Sequence, residues 1–266
     1  MFNATLFKSG IKGGIKTLAL FCAVLTMYYL IIVQMFDPAL GKMVQELAAA
    51  MPELMAIFGM NLNSATLTGF LASYLYGFII IMFPMIFSIL SVNRLIVRHV
   101  DGGSLVFLVA APIKRRDVAF TQMTVILSGL LALTLYVSVL GIVASEISFP
   151  GELETGKFIL LNLGALALHM FIAGICFLSA CIFNETKYSV GIGAGIPVLG
   201  FIIQMLSNSG EKLEGFKYAT FFSLFSTDGL IAMRPNAVWG MVALFFCAIA
   251  LFISAIAVFT KKDLHI

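Results

Sequence analysis

Six stretches of this chain, residues 17–36, 69–92, 118–145, 158–183, 189–206 and 237–260, run without one acidic, lysine or arginine side chain. A hydrocarbon core about 30 Å thick is crossed by about 20 residues of α-helix, so each run has the length of a span or close to it. The pattern predicts an all-α integral membrane protein: one transmembrane domain over 1–266 with six helices. The fifth run is the shortest and is rich in glycine. Of the 266 residues, 61% are hydrophobic and only 11% charged. Soluble domains carry about 25% charged residues, and no core of this size hides so much apolar side chain from water. A soluble enzyme, a disordered tail and a nucleic-acid binder are excluded on that ground. The four cysteines, Cys22, Cys176, Cys181 and Cys247, sit inside apolar runs and form no CxxC pair, so they read as core or lipid-facing residues.

Lys and Arg concentrate on the cytoplasmic side of membrane proteins. With the N-terminus inside, the inner segments hold Lys8, Lys12, Lys16, Arg94, Arg98, Lys114, Arg115, Arg116, Lys187, Lys261 and Lys262, whereas the outer loops hold only Lys42, Lys157, Lys212, Lys217 and Arg234. Acidic residues sort the other way. Both termini are therefore expected in the cytoplasm. The first run is too long for a signal-peptide core and lacks a small-residue cleavage site after it, so it is expected to be a span.

The loops carry structure of their own. In residues 1–16, Phe7, Ile11 and Ile15 repeat beside Lys8, Lys12 and Lys16, which predicts a basic helix lying on the inner surface, weakened by Gly10, Gly13 and Gly14. In the first outer loop Met43, Leu47, Met51, Leu54, Met55 and Phe58 fall at helical spacing, predicting an interfacial helix or helix pair bent near Pro52. Residues 218–225 of the last outer loop are mostly apolar but too few to span, and predict an interfacial or re-entrant piece.

No nucleophile motif, zinc motif or phosphate-binding loop occurs in the chain, and no acid lies in any span. ATP, if used, must be bound by another protein. The clearly ionisable side chain within the spans is His169, which shares a helical face with Asn162 and Cys176 at seven-residue intervals. This stripe either lines a polar path for a substrate, with Gln204 of the fifth span as a further candidate, or bonds a neighbouring helix. Gly191, Gly193, Gly195, Gly200 and Pro197 crowd the fifth span; Gly191 and Gly195 form a GxxxG that predicts close helix packing, and Pro197 predicts a kink or flexible break. Pro84 offers the same alternatives in the second span.

The inner loop 93–117 reads NRLIVRHVDGGSLVFLVAAPIKRRD. Topology explains its positive charge, but it does not require an apolar insert, 105–111, between two charged clusters. Such an insert outside the membrane points to a docking surface. Asp101, Gly103, Ser104 and Leu105, followed by Pro112 and Arg115, resemble the acidic-Gly-Thr/Ser-Leu … Pro-x-x-Arg signature of type-2 ATP-binding-cassette (ABC) transporter permeases. Gln122 stands where that family often has a basic residue. Met51-Pro52-Glu53-Leu54 through Phe58-Gly59-Met60 is similar to the outer-loop pattern of the small bacterial permeases, and Phe259-Thr260-Lys261-Lys262-Asp263-Leu264 to their closing tail.

The resemblance implies a half-transporter of the bacterial plasma membrane, a homodimer with a second permease copy, each copy seated on a separate cytoplasmic ABC ATPase that holds the ATP and Mg. This chain would itself hold no cofactor and have no enzyme activity. It implies that Arg94, Arg98, Asp101, Gly103, Ser104, Leu105, Pro112, Arg115 and Arg116 face the ATPase, and that a substrate is exported by alternating access; the 25 Phe and 14 Met suit an apolar or amphipathic one, such as a peptide, drug or lipid-like compound. The alternative is a non-transporting sensor, immunity or assembly protein that binds a partner through the same loop. An intramembrane enzyme centred on His169 lacks a carboxylate to work with, and a channel lacks a ring of charged or carbonyl-rich residues for a filter.

Overall fold

The computed structural model describes residues 2–36, 50–51, 57, 66–97, 114–183, 185–209 and 211–261. Six helices among them are long and apolar enough to cross a membrane: α1 (Ala4–Met35), α2 (Leu67–Ile96), α3 (Arg115–Ser148), α4 (Thr155–Ile182), α5 (Thr186–Asn208) and α7 (Pro235–Lys261). Two 3-10 segments, Glu211–Ala219 and Phe221–Leu224, and the short helix α6 (Thr227–Ile231) connect α5 to α7. No strand occurs among the described residues. The chain is thus an all-helical, multi-pass membrane protein. The helix expected over 43–58 falls almost wholly outside the described residues, as do the loop 98–113 and the tail 262–266.

Each expected span appears, extended by a few residues at most ends, except at the start. There the basic leader and the first span are one unbroken helix, with no boundary at Thr17. Asn3 caps it, its side chain accepting from the Leu6 N–H at 2.9 Å. Two of the three glycines expected to weaken this helix, Gly10 and Gly14, are where neighbouring helices approach it closely, whereas Gly13 faces open space. A Cβ on Gly10 would stand 2.9 Å from Val125 Cγ2, and one on Gly14 would stand 2.6 Å from Arg94 Nη2.

α1 and α3 run side by side in the same direction. Asn3 N donates to Thr121 Oγ1 at 3.1 Å, Thr26 meets Tyr136, and Gln34 Nε2 donates to Ser148 Oγ at 3.2 Å. α4 packs against α2, α3, α5, α6 and α7, and so occupies the middle of the bundle. Burial separates the spans although hydropathy does not: 67% of the most apolar stretch of α4 and 61% of that of α2 are buried, against 28% in α1, α5 and α7. The core between α1, α2 and α4 is aromatic, with Tyr29 and Tyr76 each edge-on to Phe158. The connection after α5 folds back on the bundle. Thr220 Oγ1 donates to the Gly200 carbonyl at 3.1 Å, Phe222 is buried, and Phe225 with Leu230 covers Gly164.

α2 is not uniform. Two wide π-type turns, Leu75–Ile79 and Asn93–Val97, bracket the regular segment Ile80–Val92. Such turns hold one residue more than an α-turn and recur where a helix serves a function.

Candidate functional site

The stripe on α4 is buried, and each of its three members makes a specific tie. Asn162 Oδ1 accepts from the Tyr76 hydroxyl at 2.9 Å, while its Nδ2 donates to the Phe158 carbonyl one turn back, also at 2.9 Å. Two turns further along α4, His169 Nε2 lies 2.7 Å from the Ile80 carbonyl of α2. A carbonyl only accepts, so Nε2 carries the proton and Nδ1 is left as a buried acceptor without a partner. Cys176 Sγ donates to the Gly193 carbonyl of α5 at 3.1 Å.

The two carbonyls have a common origin. Pro84 has no N–H to give to the carbonyl four residues before it, which is that of Ile80. Pro197 likewise leaves the carbonyl of Gly193 without its helical donor. An unsatisfied backbone group inside a membrane costs several kcal/mol, so a proline in a span survives where a neighbour supplies the missing bond. His169 and Cys176 are those neighbours, and both prolines stay inside continuous helices. Ser179, one turn below Cys176, adds a bond from its Oγ to the Ser189 carbonyl at 2.9 Å. The stripe thus ties α4 to α2 and α5. Gln204 does not join it: its Nε2 donates to Asn208 on the next turn of α5 at 3.1 Å.

Close packing of α5 occurs at a different glycine from the expected pair. An added Cβ on Gly193 would stand 3.3 Å from Cys176 Cα and 3.2 Å from Ser179 Cβ, whereas Gly191 and Gly195 face open space. The GxxxG pattern thus lies on the unpartnered side of α5. Gly193 sits between its two residues, against α4.

A second polar cluster gathers at the end of the bundle that carries the chain's N-terminus. Arg94, in the final π turn of α2, donates from Nη1 to the Gly13 carbonyl of α1 at 2.7 Å, with Nη2 at 3.5 Å from the Gly10 carbonyl. Absence of a side chain at Gly14 lets the guanidinium reach the α1 backbone. The same stretch of α1 packs on α3 through Val125 and is pinned to it by the bond from Asn3 to Thr121. Ends of α1, α2 and α3 are thereby joined within a few residues of both borders of the undescribed loop. Of the residues implicated by the resemblance, Arg94 is turned into this joint. Arg115 and Arg116 open α3, with Arg116 exposed. Arg98, Asp101, Gly103, Ser104, Leu105 and Pro112 lie outside the described residues.

No group of three His, Cys, Asp or Glu side chains able to hold a metal occurs among the described residues. Compared with known protein families and with curated proteins, the chain matches none. Tyr29 and Tyr76 escape sequence reasoning because their roles depend on contacts between helices far apart in the chain. The link from Pro84 to His169 had a signal, since a proline within a span always leaves one carbonyl for a neighbour to meet.

Proposed function

We propose that this chain is the membrane-spanning permease subunit of an ABC transporter, driven by a separate cytoplasmic ATPase and exporting an apolar or amphipathic substrate. The observation that carries the reading is the joint around Arg94. A force applied to the loop 98–113 reaches α2 and α3 directly and α1 through the guanidinium, so three spans move as one unit. A loop that were only a topological marker would need no such connection. Coupling requires a partner that prefers one packing of these spans over another, and ATP-dependent closure of an ATPase pair supplies such a preference.

In this reading both termini are cytoplasmic and the membrane is the bacterial plasma membrane. Residues of the loop, with Arg115 and Arg116, form the surface that meets the ATPase. The 218–225 connection lies at the opposite interface. A second copy completes the transporter, and the open side of α5 at Gly191 and Gly195 leaves room for it. The chain contributes no catalytic group; ATP and Mg belong to the partner.

The test is co-expression with a candidate ATPase, purification of the pair in lipid nanodiscs, and measurement of ATP hydrolysis. Charge reversal at Arg98 and Arg116 is expected to dissociate or uncouple the pair while the isolated permease keeps its melting temperature. A chain that binds its partner without stimulating hydrolysis or moving substrate would instead be a sensor, immunity or assembly protein.

A further inference from the structure

An open groove of about 540 Å³ runs between α3, α4 and α7. Arg116, Phe120, Met123 and Leu127 form its α3 wall, a single helical stripe; Met170 of α4 closes one end; and residues from Ile249 to Lys261 form the α7 wall. The lining is apolar along its length, and both cations, Arg116 and Lys261, stand at the same end. Neither is engaged in a hydrogen bond or ion pair among the described residues, and Asp117 is not part of the lining. Both are exposed.

The dimensions are informative. Arg116 to Leu127 is eleven residues of helix, or about 16 Å at 1.5 Å per residue. Ile249 to Lys261 is twelve residues, about 18 Å. Half of a hydrocarbon core about 30 Å thick is about 15 Å. The groove therefore has the depth of one leaflet, with cations where the headgroups lie and Met170, midway along α4, where that leaflet ends. A volume of this size falls within the range of about 300–1,000 Å³ that holds ligands with a few dozen heavy atoms.

We infer that this groove binds a phospholipid with an anionic headgroup, its phosphate held between Arg116 and Lys261 and one acyl chain laid along Phe120, Met123, Phe252 and Ile256. A water-soluble ligand does not suit walls so apolar, and a zwitterionic lipid leaves the two cations without a net countercharge. A free phosphate ion would use the cations and ignore the groove. The site is separate from the joint at Arg94 and shares only Arg116 with the proposed ATPase-facing surface; it depends on α3 and α7 spanning a membrane.

The experiment is native mass spectrometry of the full chain, released from detergent and titrated with phosphatidylglycerol or with phosphatidylcholine of the same acyl chains. A basic side chain near an anionic membrane surface contributes about fivefold in affinity, so two predict a preference for phosphatidylglycerol of about thirtyfold. The double variant Arg116→Gln, Lys261→Gln should lose that preference and keep its fold, because both side chains are exposed. Ala257→Trp, which fills the groove without changing charge, should weaken both lipids. Equal binding of the two lipids by the wild type overturns the proposal, as does a preference that survives both changes. Removal of residues 262–266 distinguishes a further occupant: a rise in lipid binding of about tenfold or more would mean that the chain's own tail fills the groove. Tight binding of inorganic phosphate alone would also overturn the lipid assignment.

Discussion

The stripe on α4 and the joint at Arg94 are both polar clusters between helices, yet they are built for different conditions. The stripe is neutral and buried: an imidazole and a thiol donate to carbonyls of neighbouring helices, and an amide oxygen accepts from the Tyr76 hydroxyl. The joint uses a full charge, sits at the end of the bundle and is partly exposed. In the membrane interior a charge is expensive, so the interior tie repairs backbone bonds lost to proline with uncharged groups. At the end of the bundle a guanidinium is tolerated and gives a stronger, longer-reaching link. Stability is expected to lie mainly with the first cluster, and transmission of movement with the second.

The largest expected effect tests the core beside the stripe. A side chain on Gly141 would overlap the buried Phe158 ring and approach the Tyr29 hydroxyl at 2.9 Å. Gly141→Leu is expected to destabilise the bundle by about 1–3 kcal/mol or to block its accumulation. Thermal unfolding in nanodiscs measures this, and an unchanged melting temperature would refute the packing.

Next comes the proline repair. His169→Leu should cost about 0.6 kcal/mol and at most about 1.7, the average and the maximum for hydrogen bonds between membrane helices. In a Pro84→Ala background the new N–H meets the Ile80 carbonyl, so the same change should cost much less. Equal costs in the two backgrounds would break the link between Pro84 and His169. Cys176→Ala with and without Pro197→Ala repeats the test on α5, with a smaller coupling because a thiol is a weak donor.

At the joint, Arg94→Gln is expected to lower stability by at most about 1 kcal/mol, since the side chain is partly solvated. Hydrolysis by the bound ATPase should nevertheless lose its response to substrate. If the melting temperature falls as far as in Gly141→Leu, the division of labour between the clusters is wrong. The smallest effect is expected at Lys157, whose Nζ lies 2.6 Å from Glu154 Oε1 on the exposed first turn of α4. Glu154→Gln should change stability by about 0.5 kcal/mol or less, because exposed ion pairs contribute little.

Much of this fold is legible in the chain because the bilayer writes it there. Runs without charge locate all six spans to within a few residues at most ends, and the seven-residue spacing places Asn162, His169 and Cys176 on one face. The partners of that face are less visible. Tyr29, Tyr76 and the carbonyls of Ile80 and Gly193 belong to other helices, and hydropathy carries no sign of which helix lies beside which. The continuity of α1 is obscured for a related reason. Gly10, Gly13 and Gly14 look like helix breakers by intrinsic propensity, but contacts from Arg94 and Val125 decide their role. The same holds for α5, where the pattern picks out Gly191 and Gly195 while the neighbour chooses Gly193.

The two wide turns of α2 have a consequence for how that helix can move. Each contains one surplus residue, and shifting the surplus along by one position turns the intervening residue about the helix axis by about 100°. Ile80–Val92 lies between them as regular α-helix, with the bond lost at Pro84 met by His169. This segment can therefore change phase relative to both flanks of its own helix, as a shaft turns between two loose couplings. His169 ties it to α4 at one boundary, and Arg94, in the turn beyond the other, is tied to α1.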